Sequence, residues 1–192
     1  HLAIQRVGVK DVRYPLRLRV AGAEQQTAAL WTLDVALPAE KKGTHMSRFV
    51  AWLDGLDAPL DAAVLRDKLG AMLTLLSASE GRIESRFSFF LRKRAPVSGV
   101  QSLLDYQGRW IAEARAGQTT VWTEVAVPVK SLCPCSKEIS DYGAHNQRST
   151  VTIRAETHAP VAWEELVRFA EVNASSELWA LLKRSDEKWI TE

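Results

Sequence analysis

Residues 119–129, TTVWTEVAVPV, alternate cleanly between two faces of a strand. A period of two buries one face only, so such a strand needs partners beside it and an apolar layer over it. The same period governs residues 12–20 (VRYPLRLRV), where Leu16, Leu18 and Val20 alternate against Arg17 and Arg19. Segments 27–37, 82–93, 101–115 and 149–158 also read as strands, and APVSG (95–99) joins the third to the fourth.

Between the second and third strands the period becomes helical. EKKGTHMSR leads into a helix through about Leu56, with Met46, Phe49, Val50 and Leu53 on one face. After a loop holding Asp57 and Pro59, Asp61 serves as N-cap for a second helix carrying Leu65, Leu69, Met72, Leu73 and Leu76. The order so far is ββααββ. It then restarts: 119–129 pairs with 149–158, and Pro160 and Trp163 introduce a long helix with Leu166, Val167, Ala170, Ala174, Leu178, Leu181 and Leu182 in one stripe. The expected fold is α+β, in two tandem units, 1–117 and 118–192. Each unit has an antiparallel sheet with helices on one face, and a helix and two strands of the second unit are expected beyond Glu192. The start at His1 rather than Met fits a longer chain, which the mass of the native protein tests.

Charge excludes some functions. Twenty-five basic against 23 acidic residues leave +2, no electrostatic footprint for nucleic acid, and Arg92–Lys93–Arg94 has no stacking platform beside it. No apolar run approaches the ~20 residues that span a bilayer, and the first residues do not read as a signal peptide. Two cysteines one residue apart make no disulfide framework; reduced thiols suit a cytoplasmic protein.

Those two cysteines stand in SLCPCSKEISDYGAHNQRS (131–149), between two strands expected to pair. Thiolate and imidazole are preferred ligands of Zn²⁺ and its borderline relatives. The spacing from Cys133 or Cys135 to His145 fits no zinc finger, and no second pair closes a four-ligand shell. Two or three ligands with a vacant position describe a catalytic metal, which lowers the pKa of its bound water toward about 7. The second thiol then serves as an acid–base group, with Lys137 as a neighbour that depresses its pKa. The spacing fits equally two small buried thiols and a histidine that caps or bridges.

SLCPCSKEIS followed by YGAHNQRS resembles the signature of the type IB (FolE2-type) GTP cyclohydrolases. LPAEKKGTHMSRFV (37–50), APVSG (95–99), SLLDY (102–106) and LLKRSDEKWITE (181–192) resemble that family's blocks in the same order, covering essentially the whole chain. The resemblance implies a tunnelling fold in tandem and a homotetramer with active sites at subunit interfaces. It implies conversion of GTP and water into dihydroneopterin triphosphate and formate, the first step of tetrahydrofolate and pterin biosynthesis.

The resemblance also implies residue roles. Cys133, His145 and Glu187 would hold one Zn²⁺ or Mn²⁺ and Cys135 would transfer protons, although the two thiols can exchange roles. Without the resemblance, Glu187 reads as a solvated acid. Lys41, Lys42, Thr44, His45, Ser47 and Arg48 form the candidate triphosphate site at a helix start, where free N–H groups favour anions; the alternative is a solvated basic cap. Ser98 is a further candidate for phosphate contact across an interface, or simply part of a hairpin turn. Lys137, Glu138, Asn146, Gln147 and Arg148 are expected around the metal ligands, Glu138 being able to hold an imidazole nitrogen. The glutamate that anchors the purine and a histidine-rich strand are expected beyond Glu192.

Two other readings keep parts of this picture. A nitrile reductase or pterin-processing enzyme shares the fold, and NADPH consumption with a deazapurine nitrile would reveal the former. A non-catalytic oligomer stabilised by a structural metal would show a closed four-ligand shell.

Overall fold

The alternating segments form one antiparallel sheet of six strands in sequence order, as seen in a computed structural model that describes residues 2–142 and 146–191. The strands are β1 (Ile4–Val20), β2 (Ala23–Leu37), β3 (Gly81–Arg94), β4 (Gln101–Arg115), β5 (Gln118–Leu132) and β6 (Asn146–Glu156). Helices α1 (Met46–Asp54) and α2 (Ala62–Leu76) follow β2; a single turn, α3 (Pro134–Lys137), follows β5; α4 (Trp163–Val172) and α5 (Arg184–Thr191) follow β6. The expected α+β class with an antiparallel sheet is therefore the observed one.

Two hairpins set the register. Ala21–Gly22 and Ala116–Gly117 have positive φ at both residues, 49° and 77° in the first and 49° and 76° in the second. That pair of angles matches the right-handed twist of the flanking strands, and glycine takes the second position without a Cβ clash. The 117/118 boundary expected between the units falls inside the second hairpin, where Arg115 pairs with Gln118 in a continuous sheet.

One face of the sheet carries the core. Trp31, Leu33, Ile83, Phe89, Val121, Val125 and Val127 are buried there under the helices. Trp163 at the start of α4 packs its ring against Phe87, Phe89 and Trp110, at 5.5, 5.1 and 5.3 Å between centroids. The other face is charged: Arg109 reaches Glu84 at 2.9 Å and Glu124 at 3.3 Å.

Three expectations change. The first strand begins at Ile4, not at residue 12, because a bulge between Val9 and Val12 shifts the alternation by one residue and hides it from a period-two reading. Asp11 sits in that bulge at φ 54° and accepts from Arg86 at 2.5 Å. On α1 the buried residues are Phe49, Trp52 and Leu53, while Met46 and Val50 stand exposed. The expected stripe had the right period and was rotated toward its N-terminal edge. Finally, the long helix stops at Val172. Asn173 donates to the Phe169 carbonyl at 2.8 Å, and Ser176 pairs with Lys130 of β5 through N–H···O contacts of 2.8 and 3.3 Å. The free end of β5 thus competes with helix continuation and wins, so Leu178, Leu181 and Leu182 are not helical. Among the described residues no helix is long and apolar enough to cross a membrane.

Candidate active site

β5 carries the chain into the cysteine loop. Cys133 keeps an extended backbone (φ −84°, ψ 116°) and Pro134 opens α3, where a missing N–H costs nothing. The turn folds over Cys133: the Lys137 N–H and the Ser136 hydroxyl each donate to its carbonyl at 3.2 Å. The Ser136 N–H, followed by the Ser136 hydroxyl, holds the Cys133 thiol below its ordinary pKa; burial opposes this, and the N–H and thiol of Cys135 add to it. The thiolate is the nucleophilic and ligating form of cysteine. Cys133 is half-buried and Cys135 exposed. The two thiols therefore differ: Cys133 is half-buried with its thiol biased toward thiolate, and Cys135 is open to solvent.

The loop faces the segment that follows α4. An open cleft of about 810 Å³ has Leu132, Lys137 and Tyr142 on one side and Glu177, Trp179 and Trp189 on the other. Glu187 is exposed and shares a shallower depression with Tyr142, Arg184 and Thr191. The structure thus brings the far end of the cysteine loop to Glu187, an association across more than 40 residues of sequence. His145 lies outside the described residues, as does the side chain of Asn146. Gln147 and Arg148 begin β6, pairing with Ser131 and Lys130, and Glu138 closes the α3 turn.

Would this donor set suit a metal? A thiol biased toward thiolate and an exposed carboxylate match the mixed preferences of Zn²⁺ or Mn²⁺. Among the described residues no three His, Cys, Asp or Glu side chains converge as a metal-binding group. The donor chemistry fits, with its expected imidazole on a residue outside those described.

The candidate triphosphate residues lie elsewhere. Lys41 and Arg48 turn toward the C-terminal end of α2, donating to the Ser77 and Leu75 carbonyls, the latter at 2.9 Å. Cations are favoured there because those carbonyls end the helix. His45 caps α1 with extended backbone and no side-chain cap bond. Lys42, Thr44 and Ser47 precede or open α1, where Lys42 and Ser47 are exposed and Thr44 half-exposed. This region follows Leu37 and lies at the Gly81 end of the sheet, whereas the cysteine loop follows Leu132 at the other end, the one where Arg94 pairs with Gln101. The two regions occupy opposite ends of the sheet, about 40 Å apart along the 14 residues of β3.

Ser98 is at the cysteine-loop end, and its hydroxyl is engaged: it donates to Asp186 Oδ2 at 2.6 Å. Asp186 is fully buried and also accepts from the N–H groups of Val97, Ser98 and Lys183, at 2.9, 2.8 and 2.7 Å. Burial alone would raise its pKa, but these four donors, Ser98 foremost, outweigh burial and hold the carboxyl well below the usual range. Nearby, Lys93 is buried and paired with both Glu171 and Glu177. Reading the sequence alone missed Asp186, Glu171 and Glu177. For Asp186 one signal existed, an acid three residues into a helix whose side chain returns to the first N–H.

The fold and the loop define an α+β protein with a cysteine-bearing loop beside an open cleft at one end of an antiparallel sheet. The family model described as type I GTP cyclohydrolase folE2 matches residues 1–192. GTP cyclohydrolase FolE2 of Methylibium petroleiphilum is 65% identical, the match covering 100% of this chain and 75% of the relative. GTP cyclohydrolase FolE2 of Paraburkholderia xenovorans is 60% identical, covering 100% of this chain and 72% of the relative, and GTP cyclohydrolase FolE2 2 of Cupriavidus metallidurans is 57% identical over the same shares. The chain belongs to the type I GTP cyclohydrolase folE2 family.

Proposed function

We propose that this protein is a GTP cyclohydrolase that converts GTP and water into dihydroneopterin triphosphate and formate in folate biosynthesis. One observation carries the reading: the family match runs over every residue of the chain, the cysteine loop included. The reaction opens the purine at C8, releases that carbon as formate and recloses a pterin ring, so it demands activated water and repeated proton transfers.

Cys133 and Glu187, with His145, would hold one divalent Zn²⁺ or Mn²⁺, which when bound supplies Lewis-acid activation of water. Ser136 prepares Cys133 for this by stabilising its thiolate. Cys135, exposed directly after Pro134, would give and take the protons that leave and enter at C8. Lys42, Thr44, His45 and Ser47 at the start of α1 would bind the triphosphate, with Lys41 and Arg48 stiffening that segment against α2. Ser98 would support the metal end of the site.

The cysteine loop and the basic segment occupy opposite ends of one sheet, so a site that uses both draws them from two copies of the chain. A homotetramer with interfacial sites meets that requirement. Two unpaired cysteines support placement in the cytoplasm.

The test is GTP turnover by purified full-length protein with Zn²⁺ or Mn²⁺ and with chelator, read as pterin fluorescence after oxidation and dephosphorylation. A metal-dependent fluorescent product is expected. No product from folded, metal-loaded protein would overturn the reading.

A further inference from the structure

Helix α5 carries Glu187, and Trp189 and Ile190 of the same helix line the cleft beside Leu132 and Val172. Its one buried residue is Asp186, and the remainder of the eight-residue helix is polar or partly exposed. Four hydrogen bonds converge on that carboxylate and tie the start of the helix down. Two, from the Val97 and Ser98 N–H groups, fall on Oδ1; the Ser98 hydroxyl and the Lys183 N–H fall on Oδ2. A carboxylate offers about four lone-pair sites, so every one of them is used. Three of the four donors come from the turn between β3 and β4, and the fourth from Lys183, the residue before α5.

We propose that Asp186 is the positioning residue for Glu187: its carboxylate clamps the first turn of α5 to the turn at 97–98 and thereby sets where the Glu187 carboxylate stands beside the cysteine loop. This rests on the reading of Glu187 as a site residue. Adjacent residues on a helix point about 100° apart, so Asp186 faces the sheet while Glu187 faces the depression shared with Tyr142. Fixing one fixes the direction of the other. Trp179 reinforces the arrangement, its ring N–H donating to the Arg94 carbonyl at 3.0 Å on the strand that enters the same turn.

Asparagine tests the clamp because it keeps the shape and loses the chemistry. Its single oxygen accepts at most two of the four donors, and its NH₂ meets N–H groups head-on. In full-length protein, Asp186→Asn is expected to speed hydrogen exchange by about tenfold at whichever of the Val97, Ser98 and Lys183 amides lose their acceptor, the equivalent of losing one bond of typical net strength. Exchange in β1 and β2 stays as in the wild type. Competition of Mn²⁺ or Zn²⁺ against a chelator is expected to show about 10–100-fold weaker metal binding, the usual cost of disturbing a ligand's support. Glu187→Gln is expected to weaken metal binding at least as much while leaving exchange at 97, 98 and 183 untouched.

Ser98→Ala, which removes one donor, guards against an Asp186→Asn that does not fold; exchange at Lys183 and metal affinity should move in the same direction by smaller factors. Ser98→Thr, which keeps the hydroxyl, should restore both. Unchanged exchange in Asp186→Asn overturns the clamp while the metal reading survives. Faster exchange with wild-type metal affinity, in a protein where Glu187→Gln loses it, overturns the positioning role. Unchanged affinity in Glu187→Gln removes the reading on which the role rests and takes the role with it.

Discussion

Lys93 offers a sharp test of how this end of the molecule is held. Its side chain is 9% exposed, with Nζ 2.7 Å from Glu171 Oε1, a second contact to Glu177, and the Trp179 ring centroid 5.2 Å away. Glu171 is only 11% exposed, and its other donor is the Tyr106 hydroxyl at 2.8 Å. Lys93→Met keeps the length of the stem and deletes the charge. Glu177, 37% exposed, then turns to water at little cost. Glu171 cannot, and a half-buried carboxylate left without its cation costs about 3–5 kcal/mol. For a chain of this size that lowers Tm by about 10 °C, at 2–4 °C per kcal/mol. Glu171→Gln alone should cost about 1–2 kcal/mol, because Lys93 keeps Glu177 and Tyr106 keeps an acceptor. The double variant should be more stable than Lys93→Met by about 2 kcal/mol, since it no longer buries a lone charge. Urea unfolding followed by the fluorescence of the seven tryptophans, at one protein concentration, gives all three values. A loss below about 1 kcal/mol in Lys93→Met, or a double variant no better than Lys93→Met, would refute the argument that the pair is effectively buried.

Other expectations are as direct. Trp163→Ala removes a ring packed against three aromatic neighbours and should cost about 3–5 kcal/mol in the same unfolding assay. Gly8→Ala places a Cβ 1.9 Å from the Leu33 carbonyl oxygen, which is sheet backbone and cannot yield, so the β1–β2 pairing should loosen and Tm fall, whereas Gly43→Ala meets nothing and should leave Tm unchanged. In metal-free protein Cys133 should alkylate with iodoacetamide at a lower pH than free glutathione does. Its depressed pKa means that the thiolate, the reactive form, is already present where an ordinary thiol is still protonated; peptide mapping across a pH series reads this. A Cys133 profile equal to that of glutathione would show that Ser136 does not act on it. Cys133→Ser should abolish both metal-dependent turnover and tight metal binding, measured by fluorescent product and chelator competition.

The alternation of valine and threonine in β5, and of leucine and arginine in β1, by itself determined an antiparallel sheet covered on one face, because a strand with one apolar face has few other ways to hide it. The cysteine loop was legible for the same local reason, since thiols and imidazole stand within fifteen residues of one another. Where tertiary partners competed with local pattern, the sequence could not decide. The leucines at 178, 181 and 182 continue a helical stripe on paper, yet Ser176 finds the edge of β5 that β4 leaves open beyond Ala126, and the helix ends. Met46 and Val50 match the period of a buried face, yet α1 rolls so that Trp52 lies inward and donates to the Lys68 carbonyl at 2.9 Å. Asp186 and Glu187 are adjacent acids with nothing in the sequence to separate them. Only the folded chain makes one a buried acceptor for four donors and leaves the other exposed, because three of the donors arrive from residues nearly ninety positions away.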